Sequence, residues 1–185
     1  MFNSLGYEPR FVQRQKIKDD TAHLYSHIYK FHSPVTKLNY VIIADYHNTD
    51  SDVFSLKFYA KRDKRLDNKY SININKGDVP NILITCIKVI HILLKENPTA
   101  SFGVLGARTI EKKTALVENY SFNQRFRVYR KVVPRLIGTQ TFEHFEYENV
   151  SAYLLINRKK GDITSQETII KQMFCRTYPK LVDIL

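Results

Sequence analysis

Residues 69–98, KYSININKGDVPNILITCIKVIHILLKENP, contain the pattern from which the rest of the fold can be predicted. Apolar and polar side chains alternate over residues 70–74, which is typical of a strand. A Gly-Asp turn follows, and Asp78 is expected to cap a helix whose first turn contains a proline. Residues 82–94 are apolar on nearly every side of that helix, which predicts that it is largely buried. We therefore expect a strand, a tight turn and one long buried helix.

Shorter elements surround this unit. Further strands are predicted over residues 10–17, 24–32, 38–46, 53–61, 100–107, 141–147 and 150–158, and further helices over 122–137 and 166–176. Ser165 is expected to cap the last helix. The resulting order is β-β-β-β-α-β-α-β-β-α. It predicts an α+β fold with a mixed, mostly antiparallel central sheet of about six to seven strands and two main helices packed on it.

The length of the chain predicts one domain. It has 185 residues, and no flexible linker, repeat or low-complexity segment divides it. We expect a single globular domain over residues 1–185, with an N-terminal arm or edge strand over about 1–20 and a C-terminal tail over 178–185. Hydrophobic residues make up 43% of the chain, which is enough to build a core.

Composition also bears on location and partners. No apolar segment follows Met1 and no apolar run is long enough to span a bilayer, so we expect neither a signal peptide nor a membrane span. The two cysteines are expected to be buried free thiols, which fits a reducing cytoplasm. The net charge of +11 favours a polyanionic partner.

The order of elements resembles that of the acetyl-CoA-dependent N-acetyltransferases of the Gcn5-related type, over roughly residues 24–158. In that fold a meander leads into a strand–loop–helix unit, and a strand, a helix and a closing hairpin follow. A local likeness to the family pattern Asn-x-x-Ala-x-x-x-Tyr begins at Asn123 and ends at Tyr129, one residue short and with Phe126 at the small position. The resemblance implies that Tyr129 is the general acid toward the leaving thiolate. The chain also resembles small bacterial proteins of unknown function, which implies no mechanism.

The resemblance also implies acetyl-CoA as a cofactor, bound by the loop before the buried helix. Lys76, Gly77 and Asn81 are the residues that it assigns to cofactor binding. The family pattern there is Arg/Gln-x-x-Gly-x-Gly/Ala, whose small residues let backbone N–H groups reach the pyrophosphate. This loop departs from the pattern, because it has one glycine, an Asp that repels phosphate and a Pro that lacks a donor.

Cationic side chains offer an alternative function. A loop cluster and a stripe on the second helix are candidates for contacts with nucleic acid or another polyanion: Lys61, Arg62, Lys64, Arg65, Arg125, Arg127 and Lys131. The chain would then be a non-catalytic basic binding module for nucleic acid or an acidic protein. A homodimer that pairs through an exposed strand edge is a third hypothesis.

The histidines are candidates for metal ligands and for a general base. His23, His27 and His32 lack the spacing and companion motifs of a metal site, so no metal is expected. Asp45 and His47 stand next to a turn and are able to pair as orienting group and base, but no Ser or Cys nearby in sequence supplies a nucleophile.

Overall fold

The computed structural model describes residues 6–48, 50–72, 77–110 and 116–179. They form an α+β fold with a seven-stranded mixed sheet and three α-helices. The strands are β1 (Arg10–Lys16), β2 (His23–Ser33), β3 (Leu38–Asn48), β4 (Asp52–Ala60), β5 (Ser101–Leu105), β6 (Phe142–Tyr147) and β7 (Ala152–Asn157). The helices are α1 (Val79–Glu96), α2 (Gln124–Ile137) and α3 (Ile163–Thr177). Apart from the strand predicted over residues 70–74, the elements follow one another in the predicted order.

The sheet has the strand order β1-β2-β3-β4-β5-β7-β6, so β7 lies between β5 and β6. Neighbouring strands are antiparallel except for β4 and β5, which are parallel. The parallel ladder joins residues 53–56 of β4 to residues 101–104 of β5. Because β4 continues to Ala60, its last residues extend beyond this pairing. The two strands therefore separate at their carboxyl ends.

Helices α1 and α2 cover one face of the sheet. Phe54 and Phe102 stack at 5.7 Å between ring centroids and pack in one cluster with Leu83, Leu93 and Phe126 from the helices. Asn123 caps α2, since its side-chain oxygen accepts a hydrogen bond from the Phe126 backbone N–H.

Helix α3 lies on the other face of the sheet. Successive side chains of a strand point to opposite faces, so every second residue of each strand points to the α3 side. Ile170 and Met173 pack there against Val53, Leu154 and Ile156. The predicted cap of this helix is wrong. Asp162 is the N-cap and accepts hydrogen bonds from the backbone N–H groups of Thr164 and Ser165, so the helix begins before Ser165.

The predicted strand over residues 70–74 is also wrong where the structure describes it. Tyr70 and Ser71 lie in a turn, Ile72 forms only an isolated bridge with Ile110, and residues 73–76 fall outside the described residues. The Tyr70 ring packs edge-on against Tyr59 of β4 at 5.5 Å between centroids. Tyr70 therefore packs against β4 as a side chain of the turn, while β4 itself is the strand that pairs with β5.

Strand β1 forms one edge of the sheet, and all of its side chains are exposed. This agrees with an N-terminal edge strand, whereas pairing between two copies through that edge stays a prediction. Among the described residues, none of the helices combines the length and the apolar character that crossing a bilayer requires.

Burial of α1 predicts a large effect of truncating its core residues. Leu93→Ala should lower the free energy of unfolding by about 2–5 kcal/mol, because Leu93 is fully buried and the truncation leaves a cavity. Leu136→Ala on α2 is the matched control, since that side chain is 42% exposed and should cost about 0.5 kcal/mol. Urea unfolding followed by circular dichroism measures both, and equal losses would contradict the assigned packing.

Candidate functional site

A cavity of about 300 Å³ lies where β4 and β5 separate, and α3 covers it. Its lining is mostly apolar and includes Leu56, Val104, Leu105, Val150, Leu154 and Phe174. The carboxyl ends of parallel strands are a common position for ligands in open sheets. The volume falls at the lower end of the roughly 300–1,000 Å³ range of small-molecule sites. The cavity is therefore the candidate binding site.

One wall of the cavity is polar and is organised around the carboxylate of Asp45, which is 1% exposed. The Ser26 hydroxyl donates to Asp45 Oδ1 at 2.6 Å, and Lys57 Nζ lies 2.5 Å from Oδ2. His23 Nε2 lies 3.3 Å from Oδ1. Burial by itself raises the pKa of Asp45, but the hydrogen bonds from His23 and Lys57 and the charge of Lys57 hold that pKa well below its usual range. Asp45 is thus an ionised, buried carboxylate at neutral pH.

The contacts among Ser26, His23 and Asp45 do not form a nucleophilic triad. The same nitrogen of His23, Nε2, lies 3.0 Å from the Ser26 hydroxyl oxygen and 3.3 Å from Asp45. A triad needs the two ring nitrogens to serve the two partners separately. Because the Ser26 hydroxyl donates directly to Asp45 and is buried, it is a structural donor.

His47 lies on the same face of β3 as Asp45 and connects this face to the end of α3. Its Nε2 lies 2.7 Å from the Tyr178 hydroxyl, and its ring meets Phe174 edge-on at 5.2 Å between centroids. Burial, with a smaller contribution from nearby His23, lowers the pKa of His47 to about 4. Asp45 and His47 therefore have separate partners instead of pairing with each other. Tyr178 was expected in a tail, yet it lines the cavity.

The side chain of Asp78 lies at the N-terminus of α1 and is 1% exposed. Asp78 Oδ1 accepts hydrogen bonds from the Tyr7 hydroxyl at 2.7 Å and from Asn81 Nδ2 at 2.8 Å, and Oδ2 accepts one from the Ser33 hydroxyl. The carboxylate makes no hydrogen bond to the backbone N–H groups of its own helix. It ties α1 to the N-terminal segment and to β2.

The residues that the resemblance assigns to a cofactor loop lie around this carboxylate. Asn81 is occupied by Asp78, Gly77 is an exposed residue with a φ of 71°, and Lys76 falls outside the described residues. A pyrophosphate at this helix end would meet the buried negative charge of Asp78, and Pro80 offers no N–H. The described residues therefore do not fit the pyrophosphate of acetyl-CoA.

Tyr129 lies in the core on the α1 side of the sheet and is 7% exposed. It lines a small void of about 20 Å³ together with Cys86, Leu56 and Val104. Burial raises the pKa of Tyr129 far above its usual range. A general acid needs a path to the reacting group, so the catalytic role of Tyr129 stays a prediction.

The candidate polyanion contacts divide into exposed and buried cations. Lys61, Arg62, Lys64, Arg65, Arg127 and Lys131 are exposed. Arg125 differs, because its guanidinium donates to the Ile72 carbonyl at 3.2 Å and lies 5.0 Å from the centre of the Phe58 ring. It holds the turn after β4 against α2 and is not part of an exposed stripe.

The three histidines of β2 have different surroundings. His23 contacts Asp45, His27 is buried beside Phe11 and Tyr25, and His32 is exposed. Within the described parts of the chain, no group of three or more His, Cys, Asp and Glu side chains is arranged to hold a metal ion.

Sequence reasoning missed Lys57, Ser26 and the cavity itself. A signal was present, because Ser55 and Lys57 follow Val53 on one face of a strand that lies inside a covered sheet. Polar residues at such positions need partners within the protein. The partner of Lys57, Asp45, lies on the neighbouring strand and becomes visible only once the register of β3 and β4 is known.

Comparisons of the chain with models of known protein families, with curated proteins and with solved structures find no match. The interpretation of the site therefore rests on its geometry and chemistry.

The lowered pKa of His47 predicts that the stability of the fold depends on pH. Its pKa in the folded protein, about 4, lies below its ordinary value of 6.5, so the unfolded chain takes up the proton first. Stability should fall as pH decreases from about 6.5 to about 4. In His47→Gln, which keeps a hydrogen-bonding side chain beside Tyr178, this loss should be smaller.

Urea unfolding at pH 7 and pH 4.5 measures the effect. The matched control is His32→Gln at an exposed position of the same sheet, which should retain the pH dependence of the wild type. Equal losses in wild type and His47→Gln would contradict the assignment.

Proposed function

We propose that this chain is a binding domain on an acetyltransferase-like scaffold, and that the cavity between the ends of β4 and β5 holds a small, mainly apolar ligand. The observation that carries this proposal is the apolar lining of a cavity of about 300 Å³ at the carboxyl ends of a parallel strand pair. The order of elements supports the scaffold, since it follows the meander, helix, strand, helix and closing hairpin of those enzymes.

Two observations favour binding over acetyl transfer in the manner of that family. The Asp78 carboxylate stands at the helix end where the cofactor's pyrophosphate would lie. Tyr129 is enclosed by the core, beside a void of only about 20 Å³. The first departure disfavours binding of the cofactor, and the second disfavours proton transfer from Tyr129 to the leaving group.

Calorimetric titration tests the choice between ligands. 1-Octanol and indole should bind saturably, because each places an apolar body in the cavity, and at 100 times Kd a ligand should stabilise the fold by about 2.7 kcal/mol. Acetyl-CoA at millimolar concentration should give no saturable heat.

Gly103→Leu is the matched variant for this test. Gly103 lines the cavity, and a Cβ there would already contact the Phe174 ring at 3.5 Å, so the rest of a leucine side chain must occupy the cavity or displace that ring. The variant should lose binding of both compounds. Saturable binding of acetyl-CoA to the wild-type protein, or binding of 1-octanol that Gly103→Leu leaves unchanged, would overturn the proposal.

A second candidate function is binding of a polyanion, which the exposed cations favour. Lys61, Lys64, Arg65, Arg127 and Lys131 are exposed and have no carboxylate partner among the described residues. By contrast, Arg130 on α2 contacts both Glu146 and Glu148. Unpaired cations neutralise phosphates at the lowest cost, so these five are the contacts to test.

Fluorescence anisotropy with single-stranded DNA at several salt concentrations tests this candidate. The double variant Lys64→Glu with Arg65→Glu should bind more weakly, and the slope of log K against log salt should become shallower by about 0.7 for each lost phosphate contact. The double variant Lys16→Glu with Lys18→Glu, at two exposed positions at the end of the edge strand β1, changes the net charge by the same amount and should bind as the wild type does. Absence of binding at low salt would exclude this function.

A further inference from the structure

The polar groups around the cavity differ in whether they already have partners. Four tyrosines line it, and the hydroxyls of three are engaged: Tyr147 donates to Glu167 at 2.5 Å, while Tyr153 contacts His144 and Tyr178 contacts His47, each at 2.7 Å. These side chains present their rings to the cavity. The fourth, Tyr70, lies beside Lys57, with its ring centre 5.6 Å from Nζ. The polar wall at Asp45 and Lys57 is therefore the part that can select a ligand's head group.

Within that wall, Asp45 has three partners and Lys57 has one. Asp45 has Ser26, His23 and Lys57 around its two oxygens. The Lys57 ammonium carries three N–H donors, but among the described residues Asp45 is its one acceptor, with the Tyr70 ring 5.6 Å away. Lys57 lines the cavity, and its side chain is 40% exposed. It can therefore donate to an oxygen of a ligand.

The charge at the wall is already balanced. Asp45 neutralises Lys57 at 2.5 Å, and a ligand carboxylate placed on Lys57 would stand beside the buried Asp45 carboxylate. Like charges at such distances repel strongly in a region of low dielectric. A ligand ammonium would instead face Lys57. An uncharged oxygen acceptor meets neither repulsion and still accepts a charge-assisted hydrogen bond.

We propose that the cavity binds an uncharged molecule with an apolar body and one carbonyl-type oxygen, and that Lys57 donates a hydrogen bond to this oxygen while Asp45 excludes anionic analogues. This inference rests on the proposed binding function, because it assigns the ligand class of the same cavity. Asp45 is then a specificity-determining residue and Lys57 the ligand's polar contact.

Calorimetry with three ligands of equal chain length tests the assignment: 2-octanone, octanoate and octylamine. The wild-type protein should bind 2-octanone roughly tenfold more tightly than either charged compound, as expected for one charge-assisted hydrogen bond without repulsion. Lengthening the ketone chain by one methylene should tighten binding about fourfold while the cavity has room.

The variant Asp45→Asn tests whether the negative charge of Asp45 excludes anionic ligands. The substitution removes the negative charge but keeps the shape and an oxygen that accepts from Ser26, so Lys57 is left without its counter-ion. Octanoate should then bind at least tenfold more tightly than it binds the wild type, and 2-octanone should change little. Lys57→Met, which keeps the apolar stem, should lose the preference for the ketone. Circular dichroism and thermal unfolding of each variant establish that it is folded.

The outcomes distinguish the two levels of the proposal. If none of the three compounds binds the wild type, the cavity is not a binding site and the proposed function fails as well. If all three bind equally and Asp45→Asn changes nothing, the cavity binds ligands but Lys57 and Asp45 do not select them. Tighter binding of octanoate than of 2-octanone to the wild type would overturn the role of Asp45.

Discussion

The parallel pairing of β4 with β5 is the constraint on which the rest of the structure depends. Parallel neighbours cannot be joined by a hairpin, so the chain must cross over the sheet between Ala60 and Ser101. Helix α1 makes that crossing and buries its apolar surface against the sheet and α2. Because β7 pairs with β5 although β6 precedes it in sequence, the final hairpin places β6 outermost. The cavity follows from the same pairing, since the two parallel strands separate beyond their short ladder.

Two buried carboxylates of this fold have different partners and different roles. Asp78 and Asp45 are each 1% exposed, and each is surrounded by three hydrogen-bonding side chains. Buried charges are tolerated only with such partners. The partners of Asp78 are uncharged and tie segments distant in sequence together at the end of α1. Asp45 has a lysine among its partners, and this lysine also borders the cavity. The first carboxylate therefore anchors a helix end to other segments, whereas the second determines the polarity of a cavity wall.

Helix α3 has a double role on the cavity side. It buries few residues of its own, chiefly Ile170 and Met173, and its end is held by the contact between Tyr178 and His47. Phe174 covers Gly103, where the absence of a side chain leaves room beneath the ring. The attachment of this helix depends on a neutral imidazole, so the stability of the cavity wall is linked to pH through one buried side chain.

The sequence by itself determined the class and order of the elements. Apolar periodicity located α1, α2 and most strands, since burial requires it locally. It predicted a strand at residues 70–72 that the structure does not form, because a side chain that packs against a strand, such as Tyr70, follows the same pattern as one within a sheet. Only the tertiary structure decided that β4 pairs with β5, that Asp45 meets Lys57 across two strands, and that Tyr178 returns to His47. These contacts join residues far apart along the chain or on neighbouring strands, and their partners depend on register, which no local pattern encodes.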